Sequence, residues 1–194
     1  MTAGSLIVAP PRRIPLLLRP ALWLARRLTG KDPLPGRLLA RFPKGAVTAG
    51  IFELGAPHAP RDLDARLLAV ARIVASAVSG CPFCIDMNAA TWRAAGLSEA
   101  ELTALLNLDR PAWTTLADRE QLAARYAEAL SRTPIELDQE LTASLRAQLS
   151  DREIVVLALA IAQVNFWSRF NQGLGVPAAG FFDESICPLP HRPT

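Results

Sequence analysis

The sequence predicts an all-α fold around one core. Three features carry that expectation: apolar residues recur at three- and four-residue steps, Pro and Gly fall mostly at the ends of those runs, and no segment alternates apolar and polar residues as a half-buried strand would. A length of 194 residues suits one well-packed core and is short for two. Hydrophobic residues make up 51% of the chain, with a mean hydropathy of +0.20. Either most of the chain is core, or apolar surface is buried between subunits.

Taken in order, the elements follow from their punctuation. Pro20 sits in the first turn of a helix through Leu22, Trp23, Leu24 and Leu28, with Gly30 as its stop. A second helix covers 45–54 and ends at Gly55. Asp62 or Asp64 opens a long third one, with Leu67, Leu68, Ala71, Val74, Ala75 and Val78 on one side, up to Gly80. A cysteine-bearing helix begins at once, with Cys81 in the cap region and Pro82 at the first helical position, where its missing N–H costs nothing. Gly96 is expected to close it. Ser98 to Glu101 reads as a capping box for a short helix, Asp118 opens another to about Ser131, and a further one lies near 138–149. A second capping box, Ser150 to Glu153, launches a long apolar helix to about Asn171. Residues 1–19 and 176–194 read as extended arms.

Charge is unevenly placed. Residues 1–52 hold nine Lys or Arg against one acid, Asp32, a net of +8, whereas residues 53–194 hold twelve basic and seventeen acidic groups, a net of −5. A basic arm on an acidic body suits nucleic acid or an anionic membrane surface, or packing on its own body or a neighbouring subunit. The arginines interleave with core-like Leu and Trp and form no nucleic-acid motif, which favours packing. The most apolar stretch, Ile154 to Trp167, is shorter than the ~20 residues a bilayer needs, so no membrane span is expected. Arg19, Arg26 and Arg27 interrupt the N-terminal apolar patch too soon for a signal peptide, and the expected compartment is the cytoplasm.

In a reducing compartment, Cys81-Pro82-Phe83-Cys84 points to catalysis or metal binding. Residues at i and i+3 share a helix face, so the two sulfurs approach closely enough to bond. The helix N-terminus presents free N–H groups and the positive end of the dipole, which favours a thiolate. Two other readings stay open here. Cys81, Cys84, Cys187 and His191 amount to four zinc ligands, although zinc pairs usually sit on turns and two of these lie in a Pro-rich tail. Alternatively the thiols are inert core residues. A thioredoxin fold does not fit the flanking helices. Arg169, Asn165 and Asn171 punctuate the last helix and line either a pocket or a structural contact. Trp92 walls the thiols or is plain core, and His58 and His191 receive no role.

The segment Gly80 to Ala90, with Ala95-Gly96-Leu97-Ser98-Glu99-Ala100-Glu101 after it, resembles the core of the carboxymuconolactone decarboxylase-like superfamily, in its alkylhydroperoxidase D-like branch. Val164 to Asn171 is similar to that family's last core helix. The resemblance covers roughly 40–175 and divides the chain into a basic arm with a short helix (1–40), an alkylhydroperoxidase D-like helical bundle (41–175) and a Pro-rich tail (176–194). It implies a homo-oligomer (dimer, trimer or hexamer), a hydroperoxide substrate and a dithiol reductant protein, with no cofactor, metal or nucleic acid. It also implies the roles: Cys84 meets the peroxide and Cys81 forms the disulfide with it.

The family's proton relay is absent. The expected Glu, twelve residues before Cys81, is Ala69; the His four residues after Cys84 is Asn88; and a His before Cys84 in some members is Phe83. Asn88 stays on the correct face as a polar pocket residue, but an amide carries no proton. Asp86, two residues past Cys84, falls on another face and reads as a structural or solvated carboxylate. The expectation is a thiol-dependent peroxidase or disulfide oxidoreductase with an antioxidant role, using Cys84, Cys81 and Asn88. The alternatives are a lyase on a small acid, as the superfamily name suggests, and a non-catalytic helical oligomer with a basic interaction arm.

Overall fold

The computed structural model describes residues 6–57 and 62–183. Among these, nine α-helices follow in order: α1 (Arg19–Thr29), α2 (Leu34–Leu39), α3 (Pro43–Gly55), α4 (Ala65–Ser79), α5 (Pro82–Ala89), α6 (Glu99–Leu106), α7 (Asp118–Ser131), α8 (Gln139–Gln148) and α9 (Asp151–Gly173). Short 3-10 turns occupy Leu16–Leu18 and Arg110–Thr115, and no described residue lies in a strand. The fold is all-α, as the punctuation predicts.

Helix α4 is the centre. The Asp64 carboxylate caps it by accepting the N–H groups of Arg66 (2.9 Å) and Leu67 (3.0 Å), and Gly80 ends it at φ +66°, where a side chain would be strained. Ten of its fifteen residues are buried, so it is apolar nearly all round and is packed on several sides, chiefly by α7 and α9. Its alanines let those neighbours approach closely. The main core gathers Leu67, Val70, Ile73 and Val74 of α4 with Leu102 and Leu105 of α6 and Leu157 and Ile161 of α9. At roughly 1.5–3 kcal/mol for each fully buried large aliphatic, this core dominates the favourable side of folding.

One polar node ties three helices to it. Arg66 donates from Nε to Glu120 on α7 (2.6 Å), from Nη2 to Glu101 on α6, and from Nη1 to the Gly96 carbonyl. Burial pushes the Glu101 carboxyl up, but the Ser98 N–H and hydroxyl together with Arg66 hold it below the usual carboxylate range.

Three expectations differ from what is found. The cysteine helix stops at Ala89, and residues 90–96 form turns: the Thr91 hydroxyl donates to the Asn88 carbonyl (2.8 Å), and the Leu97 N–H closes on the Trp92 carbonyl (3.0 Å) around Gly96 at φ +75°. This bend delivers the Trp92 ring to the core, with the Arg93 guanidinium 4.7 Å above it. Helix α2 lies where no helix is expected, with Pro35 and Leu38 buried. The apolar stretch 154–167 belongs to a helix of 23 residues, long and apolar enough by composition to cross a membrane. Here α9 packs against α4, α5 and α7, and its Gln163, Asn165, Trp167 and Ser168 side chains all bond within the protein.

The N-terminal arm lies against the body. The Ile7 N–H donates to the Leu174 carbonyl (3.1 Å) and the Arg41 guanidinium to the Ala9 carbonyl (2.8 Å). Helix α1 has no buried residue; its Trp23, Leu24 and Leu28 are exposed. His58, Cys187 and His191 lie outside the described residues.

Candidate active site

Cys81 and Cys84 are joined by a disulfide, with Cα atoms 5.2 Å apart. Cys81 is the N-cap of α5 and has extended backbone angles, as a cap requires; its sulfur accepts the Cys84 N–H at 3.2 Å. One of the free amides of the helix end is thereby aimed at a reacting sulfur, which favours negative charge there. Pro82 starts the helix without needing a donor.

Both sulfurs are shut away, at 0% exposure for Cys81 and 1% for Cys84. They sit in a second apolar cluster, separate from the main core, with Leu38, Phe83 and Val176. Against it pack Leu6 and Leu34 from the N-terminal side, Trp167 and Phe170 from α9, and Phe181 from the segment after α9. The Phe83 and Phe181 rings meet edge to face, centroids 5.9 Å apart, as do Trp167 and Phe170 at 5.8 Å. Apolar walls of this kind suit an apolar or aromatic group beside the sulfurs.

The chain after α9 is drawn over the site by Asp86. This carboxylate is 1% exposed, and its two oxygens accept the N–H groups of Ala179 and Phe182, each at 2.7 Å. Asp86 therefore holds a strap in place, as a structural carboxylate does.

Asn88 lies four residues past Cys84 and is buried, with its amide donating to the Cys84 carbonyl at 2.8 Å. It touches the backbone of the cysteine and braces α5. The amide that meets the sulfur is Asn171 of α9: its Nδ2 lies 3.6 Å from Cys84 Sγ, and the residue is 0% exposed. Sequence singles out Asn171 only as one of three polar residues on an apolar helix. Of the other two, Asn165 donates to the Ser131 hydroxyl (3.0 Å) and Arg169 to the Thr133 hydroxyl (3.3 Å).

A carboxylate the sequence reading did not single out also adjoins this region. Glu53 of α3 accepts from the Trp167 indole (2.9 Å) and the Gln163 amide (2.7 Å), and Gln163 accepts from Arg72 (3.0 Å). Burial lowers the Arg72 pKa, with Glu53 opposing it. No local motif marks Glu53, because its partners lie more than a hundred residues away along the chain. Ala69, at the position of the missing Glu, is buried in the main core. Among the described residues no group of three or more His, Cys, Asp or Glu side chains could hold a metal ion, and the cysteines are bonded to each other.

Residues 46–129, from α3 through the cysteine pair to α7, match the model of the carboxymuconolactone decarboxylase family. The whole chain is similar to the uncharacterized protein YnjA of Escherichia coli K12, at 31% identity over 185 residues, covering 94% of this chain and 97% of that one. The chain belongs to the carboxymuconolactone decarboxylase family. Within this family's fold, the debrominase Bmp8 superposes with a TM-score of 0.71 at 20% identity, over 91% of this chain and 94% of its own. An uncharacterized peroxidase-related protein with an alkylhydroperoxidase AhpD core, from Ralstonia eutropha JMP134, gives a TM-score of 0.73 at 16% identity, over 90% and 93%. The fold is the alkylhydroperoxidase D-like helical fold expected from the motif.

Proposed function

We propose that this protein is a thiol-dependent peroxidase and disulfide oxidoreductase with an antioxidant role. The observation that carries the reading is the Cys81–Cys84 disulfide at a helix start, with a buried amide on Cys84. In the reduced protein the Cys84 thiolate attacks the distal oxygen of a hydroperoxide. The O–O bond breaks, the alkoxide takes a proton from water and leaves as the alcohol, and Cys84 holds a sulfenic acid. Cys81 then attacks that sulfur; hydroxide leaves with the thiol proton as water, and the disulfide forms. A dithiol reductant protein restores both thiols, itself becoming a disulfide. Asn88 keeps the Cys84 backbone in register.

The test is a count of free thiols before and after one equivalent of tert-butyl hydroperoxide. Two thiols per chain are expected to disappear, and Cys84→Ser to prevent it. Unchanged thiols in the reduced wild type would end this reading.

A second reading rests on the rings around the pair, Phe83, Trp167, Phe170 and Phe181. The same dithiol supplies two electrons to a halogenated aromatic ring, replacing carbon–halogen by carbon–hydrogen, releasing hydrogen halide and forming the disulfide. Bromide release from a bromopyrrole by the reduced protein, with loss of two thiols per chain and none in Cys84→Ser, would favour this reading, and no bromide would end it. We further propose a reducing, cytoplasmic setting, which suits a cycling pair, and a homo-oligomer. Exposed Val155, Leu159 and Phe166 on α9 and Val47, Ile51 and Leu54 on α3 supply apolar surface for self-association.

A further inference from the structure

Asn171 lies in the last turn of α9, which packs against the cysteine helix α5. Its backbone carbonyl is already engaged by the N–H groups of Leu174 (3.2 Å) and Val176 (2.9 Å), so closure of α9 makes no demand on the side chain. That side chain is fully buried. Its Nδ2 points at Cys84 Sγ from 3.6 Å, and its Oδ1 is buried with no hydrogen-bond partner among the described residues. Turning the amide over would set oxygen against the sulfur lone pairs and lose the one contact its N–H makes with Cys84 Sγ. A buried acceptor without a partner is costly to folding and is seldom kept without a use.

We infer that Asn171 is a two-ended catalytic residue: its Nδ2–H holds the Cys84 sulfur as thiolate, and its Oδ1 accepts the O–H of the incoming hydroperoxide. This deepens the peroxidase reading and rests on it for the second half. A donor gains strength when its acceptor becomes charged, so the contact tightens on reduction and favours the thiolate over both the thiol and the disulfide. The vacant acceptor lies on the same amide and aligns the distal oxygen of the oxidant with the sulfur. The amide moves no proton, so the departing alkoxide is protonated by water as above.

Thiolate absorbance at 240 nm is titrated against pH in a reduced Cys81→Ser/Cys187→Ser background, where Cys84 is the sole thiol. Asn171→Leu and Asn171→Asp keep the volume and remove the donor. Each is expected to move the Cys84 midpoint upward by about tenfold in the thiol–thiolate equilibrium, in line with a hydrogen bond to a charged group. Asn165→Ala, on the same helix but bonded to Ser131, is expected to leave it in place. In the parent protein, equilibration with dithiothreitol should shift about tenfold toward disulfide in Asn171→Leu, or about 30 mV. Midpoints unchanged in both folded variants would overturn the donor role.

Should both variants fail to fold, the Asn171 side-chain amide resonance of the ¹⁵N-labelled wild type serves. It is expected to move downfield on reduction and to follow the Cys84 titration; a stationary resonance overturns the inference. The acceptor role is read in the single-thiol protein above the thiolate midpoint of every variant, with tert-butyl hydroperoxide. Asn171→Leu should react about tenfold more slowly although fully ionised, and equal rates would remove that role. A wild type that ignores hydroperoxide defeats the peroxidase reading, while the two thiol equilibria still report on the donor.

Discussion

At position 88 the amide donates to the Cys84 carbonyl, and its side chain has no titration near neutral pH. With Ala69 in the core and Phe83 in the apolar cluster, no side chain bonded to either sulfur among the described residues carries a transferable proton. General acid–base help is worth about 10²–10⁴ in rate, so the wild type is expected to be slow and Asn88→His faster. Stopped-flow oxidation by hydroperoxide at pH 6–8 checks this: a rise of about tenfold or more is expected, and no rise would remove the relay account. The pairing of Cys81 with Cys84 is legible because local spacing brings their sulfurs together, whereas the same spacing sets Asn88 on the Cys84 carbonyl and not on the sulfur. Asn171 was not separable from Asn165 and Arg169, since which of the three meets the sulfur depends on how α9 is rotated against α5.

Among the elements, those with a chemical start and stop were read closely from sequence. Asp64 and Gly80 bracket α4, and the two Ser-to-Glu boxes open α6 and α9. Helix α2 was missed because two prolines and a glycine in a short apolar run read as loop, and its burial against the cysteine cluster overrides that local preference. Gly96 reads as the stop of α5, but it closes a separate turn seven residues beyond Ala89. The strap over the site was not legible at all. Asp86 meets backbone N–H groups more than ninety residues away, which leave no side-chain signature. Asp86→Ala strands both amides and is expected to free that segment; after reduction, Cys84 should react with a bulky disulfide reagent at least tenfold faster. An unchanged rate would show that the strap is held elsewhere. At α9, Ser150→Ala should cost about 1 kcal/mol in denaturant unfolding.

Over the whole molecule, several carboxylates are held ionised by the fold. The Ser150 N–H and hydroxyl, then Arg119, lower the Glu153 pKa from 4.5 to about 2. Burial raises Glu128, but Arg110 and Arg132 outweigh it and hold it low, as Ser98 and Arg66 do for Glu101. Groups with depressed folded pKa values bind protons more readily when unfolded. Their stabilisation is therefore complete above about pH 5 and is lost as pH falls toward 2. Denaturant midpoints should hold steady from pH 7 to 5 and then drop, whereas a flat profile to pH 3 would discount these pairs. The sealed disulfide has a kinetic consequence of its own. With both sulfurs at or below 1% exposure, reaction waits on a rarer open form, and the observed rate is the intrinsic one scaled by that form's population. At high concentration of a reducing dithiol, opening itself becomes limiting. The rate of disulfide reduction then levels off at a plateau common to all reductants, a saturation curve that reports no affinity for any of them.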